Sequence, residues 1–250
     1  MNKEKFKVYK NVFDNATIKA IFDLMAKGII KGIESPIKIG KESNVFSGIR
    51  KIKEKGKIRE ERVAIKIYRI AACDFKRMKK YLFLDPRFKV ATSRRKIVLQ
   101  WAKREFGNLN KAYKKNVAVP KPITVKENVI VMEFIGNKKP EEMPIPAGLL
   151  KDILPEKPRK FFLELIKEVK KLYNAGLVHS DLSEYNILNY KEKPIIIDLS
   201  HALPVKFAGH LEYLRRDIKN IVKFFSKLKI EIDEKEVEGF IRGKITKIDI

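Results

Sequence analysis

His179-Ser180-Asp181-Leu182-Ser183-Glu184-Tyr185-Asn186 and, after a short turn, Ile195-Ile196-Ile197-Asp198 decide the reading of this sequence. An aspartate stands five residues before an asparagine, and a second aspartate follows twelve residues later at the end of an apolar run. Phosphoryl transfer needs a carboxylate aimed at the attacking hydroxyl, and oxygen ligands that hold Mg²⁺ against a triphosphate. Asp181 suits the first role; Asn186 and Asp198 suit the second. Isolated Asp and Asn residues often do no more than cap turns, but here the spacing, the apolar strand and the preceding helix agree. That helix is predicted over Arg159–Asn174, with Phe161, Phe162, Leu165, Ile166, Val169, Leu172 and Tyr173 on one face and Gly176 placed to stop it.

Upstream, Val63-Ala64-Ile65-Lys66-Ile67-Tyr68 puts one lysine inside an alternating strand, where an unpaired ammonium would be expensive to bury. In kinases such a lysine contacts the α- and β-phosphates and pairs with a helix glutamate. Glu105, in Trp101-Ala102-Lys103-Arg104-Glu105-Phe106, is the candidate, on a helix predicted over Arg95–Leu109. Gly40-Lys41-Glu42-Ser43-Asn44-Val45-Phe46 keeps only the first glycine of a G-x-G-x-x-G loop. Alone it signals a hairpin turn; beside the other elements it reads as a substituted phosphate loop, with Ser43 and backbone amides available to phosphate. Further strands are expected at Ile37–Gly40, Val45–Ile52, Arg62–Tyr68, Val119–Val125 and Val129–Phe134, with turns at Glu54-Lys55-Gly56-Lys57 and Lys126-Glu127-Asn128. A helical stripe over 14–30 precedes them, capped by Asp14 or Asn15, and helical patterns at Leu211–Leu228 and Glu234–Ile241 close the chain. Two short apolar stretches, Asn186–Asn189 and Pro194–Leu199, have a tight turn between them. A proline-dotted connector (Pro140, Pro144, Pro146, Pro155, Pro158) separates a sheet lobe from a helical lobe, with a cleft expected between them.

The 250 residues, 44% of them apolar, are enough for a core without staples, and one cysteine, Cys73, excludes an internal disulfide framework. No apolar run reaches the roughly 20 residues of a membrane span, and the charged start has no signal-like core. The expectation is a soluble, cytoplasmic protein. Lys and Arg number 56 against 31 Asp and Glu, a net charge of +25, and 51–100 hold 17 basic against 5 acidic side chains. Such a field attracts polyanions. The alternative, a lysine-rich composition serving solubility and ion-pair networks, leaves too few acids to neutralise the excess. Nine of those cations lie within 75–96, where ordinary kinases use a short connection. This stretch reads either as a disordered, solvated loop or as a flexible basic arm that grips RNA or an acidic surface, with Thr92 or Ser93 as candidate autophosphorylation sites.

Taken together, Gly40-Lys41-Glu42-Ser43-Asn44-Val45, Ala64-Ile65-Lys66-Ile67-Tyr68, the 179–186 motif and Ile197-Asp198-Leu199-Ser200 resemble the RIO family of atypical serine/threonine protein kinases, specifically its first branch in an archaeal-like form. The resemblance runs from about Asp14 to about Lys227. Ser180 stands where glycine or alanine is usual, and His201 where glutamine is common. The second branch carries an N-terminal winged helix, for which the stretch before Gly40 is too short. Few residues follow Asp198 and no Ala-Pro-Glu occurs, so the usual peptide-docking shelf is not expected.

The resemblance implies an α+β, two-lobed protein-kinase-like fold with a small β-sheet N-lobe, a reduced helical C-lobe and an extra N-terminal helix. The expected divisions are an extension over 1–36, an N-lobe over 37–135 with a flexible basic insertion at about 84–96, and a C-lobe over 136–250. It implies ATP as substrate and Mg²⁺ (Mn²⁺ as the alternative) as cofactor. The ATP site would comprise Gly40, Lys41, Ser43, Val45, Lys66, Glu105, Met132, Glu133 and Phe134. Asp181 would be the catalytic base or hydroxyl-orienting group, Asn186 and Asp198 the metal ligands, and Asp198 an acceptor that becomes transiently phosphorylated. It further implies ATP hydrolysis as an output and a role in late maturation of the small ribosomal subunit, whose precursor or rRNA would meet the basic surface. Competing readings are another reduced kinase, either a small-molecule phosphotransferase or the small kinase of a tRNA-modifying complex, and a non-catalytic RNA-binding scaffold that keeps a kinase shell.

Overall fold

Asp14 opens helix α1 (Asn15–Ala26) by accepting a hydrogen bond from the Thr17 amide at 2.7 Å, and the helix buries Ala20, Ile21 and Leu24. The computed structural model describes residues 13–54, 56–137, 139 and 141–248. Residues 1–12 of the expected extension, Lys55 of the expected turn and Pro140 of the expected connector lie outside the described residues. The chain divides into two units. The first runs to Lys79 and adds Val90–Lys103 and Pro122–Pro146; the second comprises Lys80–Lys89, Arg104–Lys121 and the chain from Ala147 onward.

In the first unit, α1 covers a five-stranded antiparallel sheet of order β1-β2-β3-β5-β4: β1 (Gly32–Ile39), β2 (Ser43–Glu54), β3 (Lys57–Tyr68), β4 (Pro122–Lys126) and β5 (Val129–Glu133). Strand alternation sorts the two faces. Val63, Ile65 and Ile67 of β3, with Phe46, Val129 and Val131, pack in one cluster with Ala20, Ile21 and Leu24 of α1. The intervening Ala64 and Lys66 therefore face the other way, in register with Met132 and Ile130. Asn128, expected only as a polar turn residue, is buried; its amide donates to Thr17 Oγ1 at 2.8 Å and to the Tyr68 carbonyl at 2.7 Å, tying α1 to β3. Gly48 lets strands approach closely, since a Cβ there would stand 2.6 Å from the Gly32 carbonyl oxygen. Arg62, also buried, donates to the Lys139 and Glu142 carbonyls and so closes the proline-dotted connector onto β3.

The strands extend beyond the sequence expectation because charged residues of Lys57–Glu61 and Arg50–Glu54 pair across the hairpin, as Arg50 does with Glu61. A larger departure concerns the basic segment. Phe75–Phe83 is a helix, α2, and the next helix, α3 (Arg94–Lys114), starts one residue earlier and ends five residues later than expected. Between them Asp85 is fully buried, and Arg87 is held by Asp85 and Asn108. The flexible insertion expected at 84–96 is thus anchored at its start. Its cause is a buried carboxylate that the surrounding positive charge masks in the sequence.

In the second unit, α4 (Pro158–Asn174) buries Phe161, Phe162, Leu165, Ile166, Val169 and Leu172, the face read from the sequence. Its end is followed by Gly176 in the left-handed region at φ 77°. Phe162 meets Phe225 of α5 (His210–Ser226) edge-on at 5.1 Å, and α6 (Glu234–Ile241) adds Val237 and Ile241. Each fully buried phenylalanine of this kind contributes about 1.5–3 kcal/mol. A three-stranded sheet, β6 (Gly148–Leu149), β8 (Ile187–Tyr190) and β9 (Lys193–Ile196), and a two-stranded pair, β7 (Leu177–Val178) with β10 (Leu203–Pro204), flank the 179–186 stretch and Asp198.

Candidate active site

Pairing at both ends brings Asp181, Asn186 and Asp198 into one frame. β7 leads into the 179–186 loop, β10 returns beside it, and the β8–β9 hairpin joins Asn186 to Asp198. At the hairpin's open end the Ile197 amide donates to the Asn186 carbonyl at 3.0 Å. The Ile197 carbonyl in turn accepts from His179 Nε2 at 3.0 Å. Asn186 Nδ2 donates to the Asp181 carbonyl at 2.8 Å, so the amide group's oxygen is turned away from the loop backbone. The expected strand Pro194–Leu199 stops at Ile196 because Asp198 adopts a left-handed conformation, φ 60° and ψ 65°, and starts a 3₁₀ turn over Leu199–His201. Ser180, at φ 67°, is a second non-glycine residue in that region. Such conformations cost about 1–3 kcal/mol and persist only where the surroundings over-determine them.

Helix α5 supplies that over-determination for the loop. Asp217, fully buried, accepts from the Ser180 amide at 2.7 Å and the Leu182 amide at 2.9 Å. Arg216 donates to the Ser180 carbonyl, and Asn220 Nδ2 to the Leu182 carbonyl at 3.1 Å. None of these three was found by sequence reasoning. The one sequence signal is Asp217, a carboxylate at a position of the helix's apolar face. Asp181 itself is left half-exposed, its Oδ2 lying 3.7 Å from His201 Nδ1.

Burial pushes the Asp217 carboxyl up to about 6, against the opposing pull of His179, the two amide donors and Arg216. Since this value lies above the ordinary 3.8, Asp217 favours the folded state most below about pH 3.8, and that contribution is lost as pH rises through about 6. The ionised form that accepts both loop amides prevails only above about 6. Turnover is therefore expected to fall as pH drops through about 6, with no loss of melting temperature on Asp217's account in that range. Asp217→Asn should remove this limb of the pH–rate profile and cost about 1–3 kcal/mol, because an amide NH₂ would face a backbone N–H. An unchanged pH profile in the folded variant would detach Asp217 from the loop's function.

The remaining candidates lie in the first unit, except Glu105, which lies on α3 in the second. Lys66 is buried on β3, its Cα in register with Val45 on β2 and Ile130 on β5, and its Nζ lies 5.1 Å from the Tyr68 ring centre. Met132 and Glu133 end β5 and Phe134 follows, buried. Gly40 turns the β1–β2 hairpin: its amide donates to the Ser43 carbonyl at 3.0 Å, and a Cβ would stand 2.7 Å from that oxygen. Of the backbone amides expected to face phosphate, that of Gly40 is thus committed to the turn. Lys41 is exposed; Ser43 and Val45 are half-buried. Glu105 is buried.

Asn186 and Asp198 offer hard oxygen donors on one hairpin end, which suits Mg²⁺ in number and type. Among the described residues no group of three or more His, Cys, Asp or Glu side chains could hold a metal. A cation at this site would draw its other ligands from phosphate and water, as Mg²⁺ commonly does.

A RIO domain matches residues 44–237, most of the chain. The RIO-type serine/threonine-protein kinase Rio1 of Haloferax volcanii is 38% identical over 96% of this chain and 79% of its own length. The protein of the same description from Methanocaldococcus jannaschii is 37% identical over the same shares. Among solved structures, the Rio2 kinase–ADP/Mg²⁺–phosphoaspartate complex from Chaetomium thermophilum has a TM-score of 0.65 at 22% identity, covering 89% of this chain and 65% of that one. This likeness shows the two-lobed, kinase-like α+β fold.

Proposed function

The chain belongs to the RIO family of serine/threonine protein kinases, of the Rio1 type, and from that premise we propose that it is an ATP- and Mg²⁺-dependent kinase and ATPase acting on maturing small ribosomal subunits. The observation that carries the chemistry is the hairpin end on which Asn186 and Asp198 meet a loop carrying Asp181, locked from behind by Asp217. In this reading Asp181 orients the attacking hydroxyl or water and takes its proton. Asn186 and Asp198 supply oxygens to the cation, which when bound neutralises the charge that develops on the phosphates. Lys66 is the proposed phosphate contact, Glu105 its proposed partner, and Gly40–Val45 with Met132–Phe134 the proposed nucleotide surround. Asp198 is also the proposed acceptor: its carboxylate forms a P–O bond as the bond to ADP breaks, and water later returns carboxylate and phosphate.

The ribosomal partner rests on charge. Lys76, Lys79 and Lys96 are exposed on α2 and α3, within the most basic stretch of a chain of net charge +25. Arg87 and Arg95 are set aside, since Asp85 and Glu127 hold them. The test is ATP turnover with and without small-subunit particles across a salt series. Mg²⁺-dependent turnover is expected, with particle affinity falling steeply as salt rises. Lys76, Lys79 and Lys96→Gln together should lower the salt slope by up to about 3 while basal turnover holds. Absent turnover would remove the catalytic reading and favour the scaffold; an unaltered slope would move the polyanion surface elsewhere.

A further inference from the structure

We propose that Asp85, Arg104 and Asn108 are positioning residues for Asp198 and set the divalent-cation affinity of the site, an inference that rests on the kinase reading above. Arg104 and Asp85 are both fully buried, with Arg104 Nε donating to Asp85 Oδ2 at 3.0 Å. The remaining fork of the guanidinium grips the turn that follows Asp198: Nη1 donates to the Ser200 carbonyl and Nη2 to the Ala202 carbonyl at 2.8 Å. One helical turn on, Asn108 Nδ2 donates to the Leu199 carbonyl at 2.9 Å and to that of Ala202 at 3.2 Å. Two side chains of α3 thus hold three carbonyls within four residues of the metal aspartate.

The turn needs them. A single 3₁₀ turn is weak by itself, and the residue before it, Asp198, is left-handed. Arg87 completes the group, its Nε 2.8 Å from Asp85 Oδ1 and its Nη2 2.7 Å from Asn108 Oδ1. Burial alone would raise the Asp85 carboxyl, but the hydrogen bonds and charge of Arg87 and the charge of Arg104 hold it below the ordinary carboxylate value. A buried ion pair is a poor device for stability, because desolvation offsets much of its attraction. Here its geometric product is a fixed backbone immediately beside a metal ligand. Groups that orient a ligand from behind commonly change metal affinity by 10- to 100-fold.

Arg104→Lys keeps a positive charge for Asp85, yet one ammonium cannot reproduce the planar fork that reaches Asp85 and both carbonyls. Asn108→Ala removes the second hold and the Arg87 contact to Asn108 Oδ1, and leaves the Arg104–Asp85 pair in place. For each variant, Mg²⁺ half-saturation is measured through binding of a non-hydrolysable ATP analogue, with the analogue's affinity in EDTA and amide exchange over 199–202 measured alongside. Arg104→Lys should raise Mg²⁺ half-saturation about tenfold and speed exchange at the Ala202 amide, while metal-free affinity changes less than about twofold. Asn108→Ala should shift the same two readouts by less, and it decides the matter if Arg104→Lys does not fold. Unchanged Mg²⁺ half-saturation in the folded variants would overturn the inference and leave the kinase reading standing. A parent chain whose analogue binding ignores Mg²⁺ would overturn both.

Discussion

Asp181→Asn is expected to bind Mg·ATP within about threefold of the parent chain and to lose about 10²- to 10⁴-fold in turnover. The loop around Asp181 is held through its backbone, by Asp217 at the Ser180 and Leu182 amides and by Asn186 at the Asp181 carbonyl. The carboxylate is half-exposed and takes no part in those bonds, so replacing it with an amide preserves the frame while removing the group proposed to orient and deprotonate the attacking oxygen. Asp198→Asn should divide the two quantities the other way. It removes the charge of the proposed metal ligand, so metal-dependent nucleotide binding should weaken by at least about tenfold, and any acid-stable, hydroxylamine-sensitive phosphoenzyme should disappear. The measurements are nucleotide titrations with and without Mg²⁺, single-turnover kinetics, and hydroxylamine treatment of enzyme labelled from γ-phosphate. If Asp181→Asn turns over near the parent rate, the catalytic assignment fails. Phosphate that resists hydroxylamine would remove the aspartyl-phosphate step and leave the kinase reading in place.

What could be read from residues alone was whatever depends on local period and spacing. The apolar face of α4 and the alternation of Val63, Ile65 and Ile67 were legible because each repeats a chemical class at the period of its element. The 179–186 motif and Asp198 were legible because their spacing is local. The supports of the site were not. Asp217, Arg216, Arg104 and Asn108 act on backbone groups far away in the chain, Arg104 at a separation of 96 residues from Ser200, and Asp85 acts through Arg104; no local pattern marks a side chain that bonds to a distant backbone group. Asp85 was further hidden by its setting. A lone acid in a stretch of lysines and arginines reads as solvated, yet it is the one charge there that the fold buries. Functional motifs in this chain are written locally, and the residues that hold them in place are written across the fold.

Lys66→Ala should cut turnover by about 10²- to 10³-fold with the fold intact. Lys66 is buried on the central strand of the five-stranded sheet, on the face opposite the core that α1 shares with Val63, Ile65 and Ile67. Truncating it therefore leaves that core untouched. An ammonium in such a position is costly to desolvate, so structure alone would favour an apolar residue there, as β-branched neighbours on the same strand illustrate. Under the proposed function the charge is kept because it meets phosphate, and a fixed positive group at a phosphoryl-transfer site is worth about 3–4 kcal/mol in the barrier. Lys66→Met supplies the control, retaining length and bulk without the charge, and should match the alanine variant in turnover. Both should melt within a few degrees of the parent, since the lost desolvation penalty offsets part of the lost packing. Turnover near the parent rate in either variant, with an unshifted melting temperature, would reduce Lys66 to a strand residue and withdraw it from the nucleotide site.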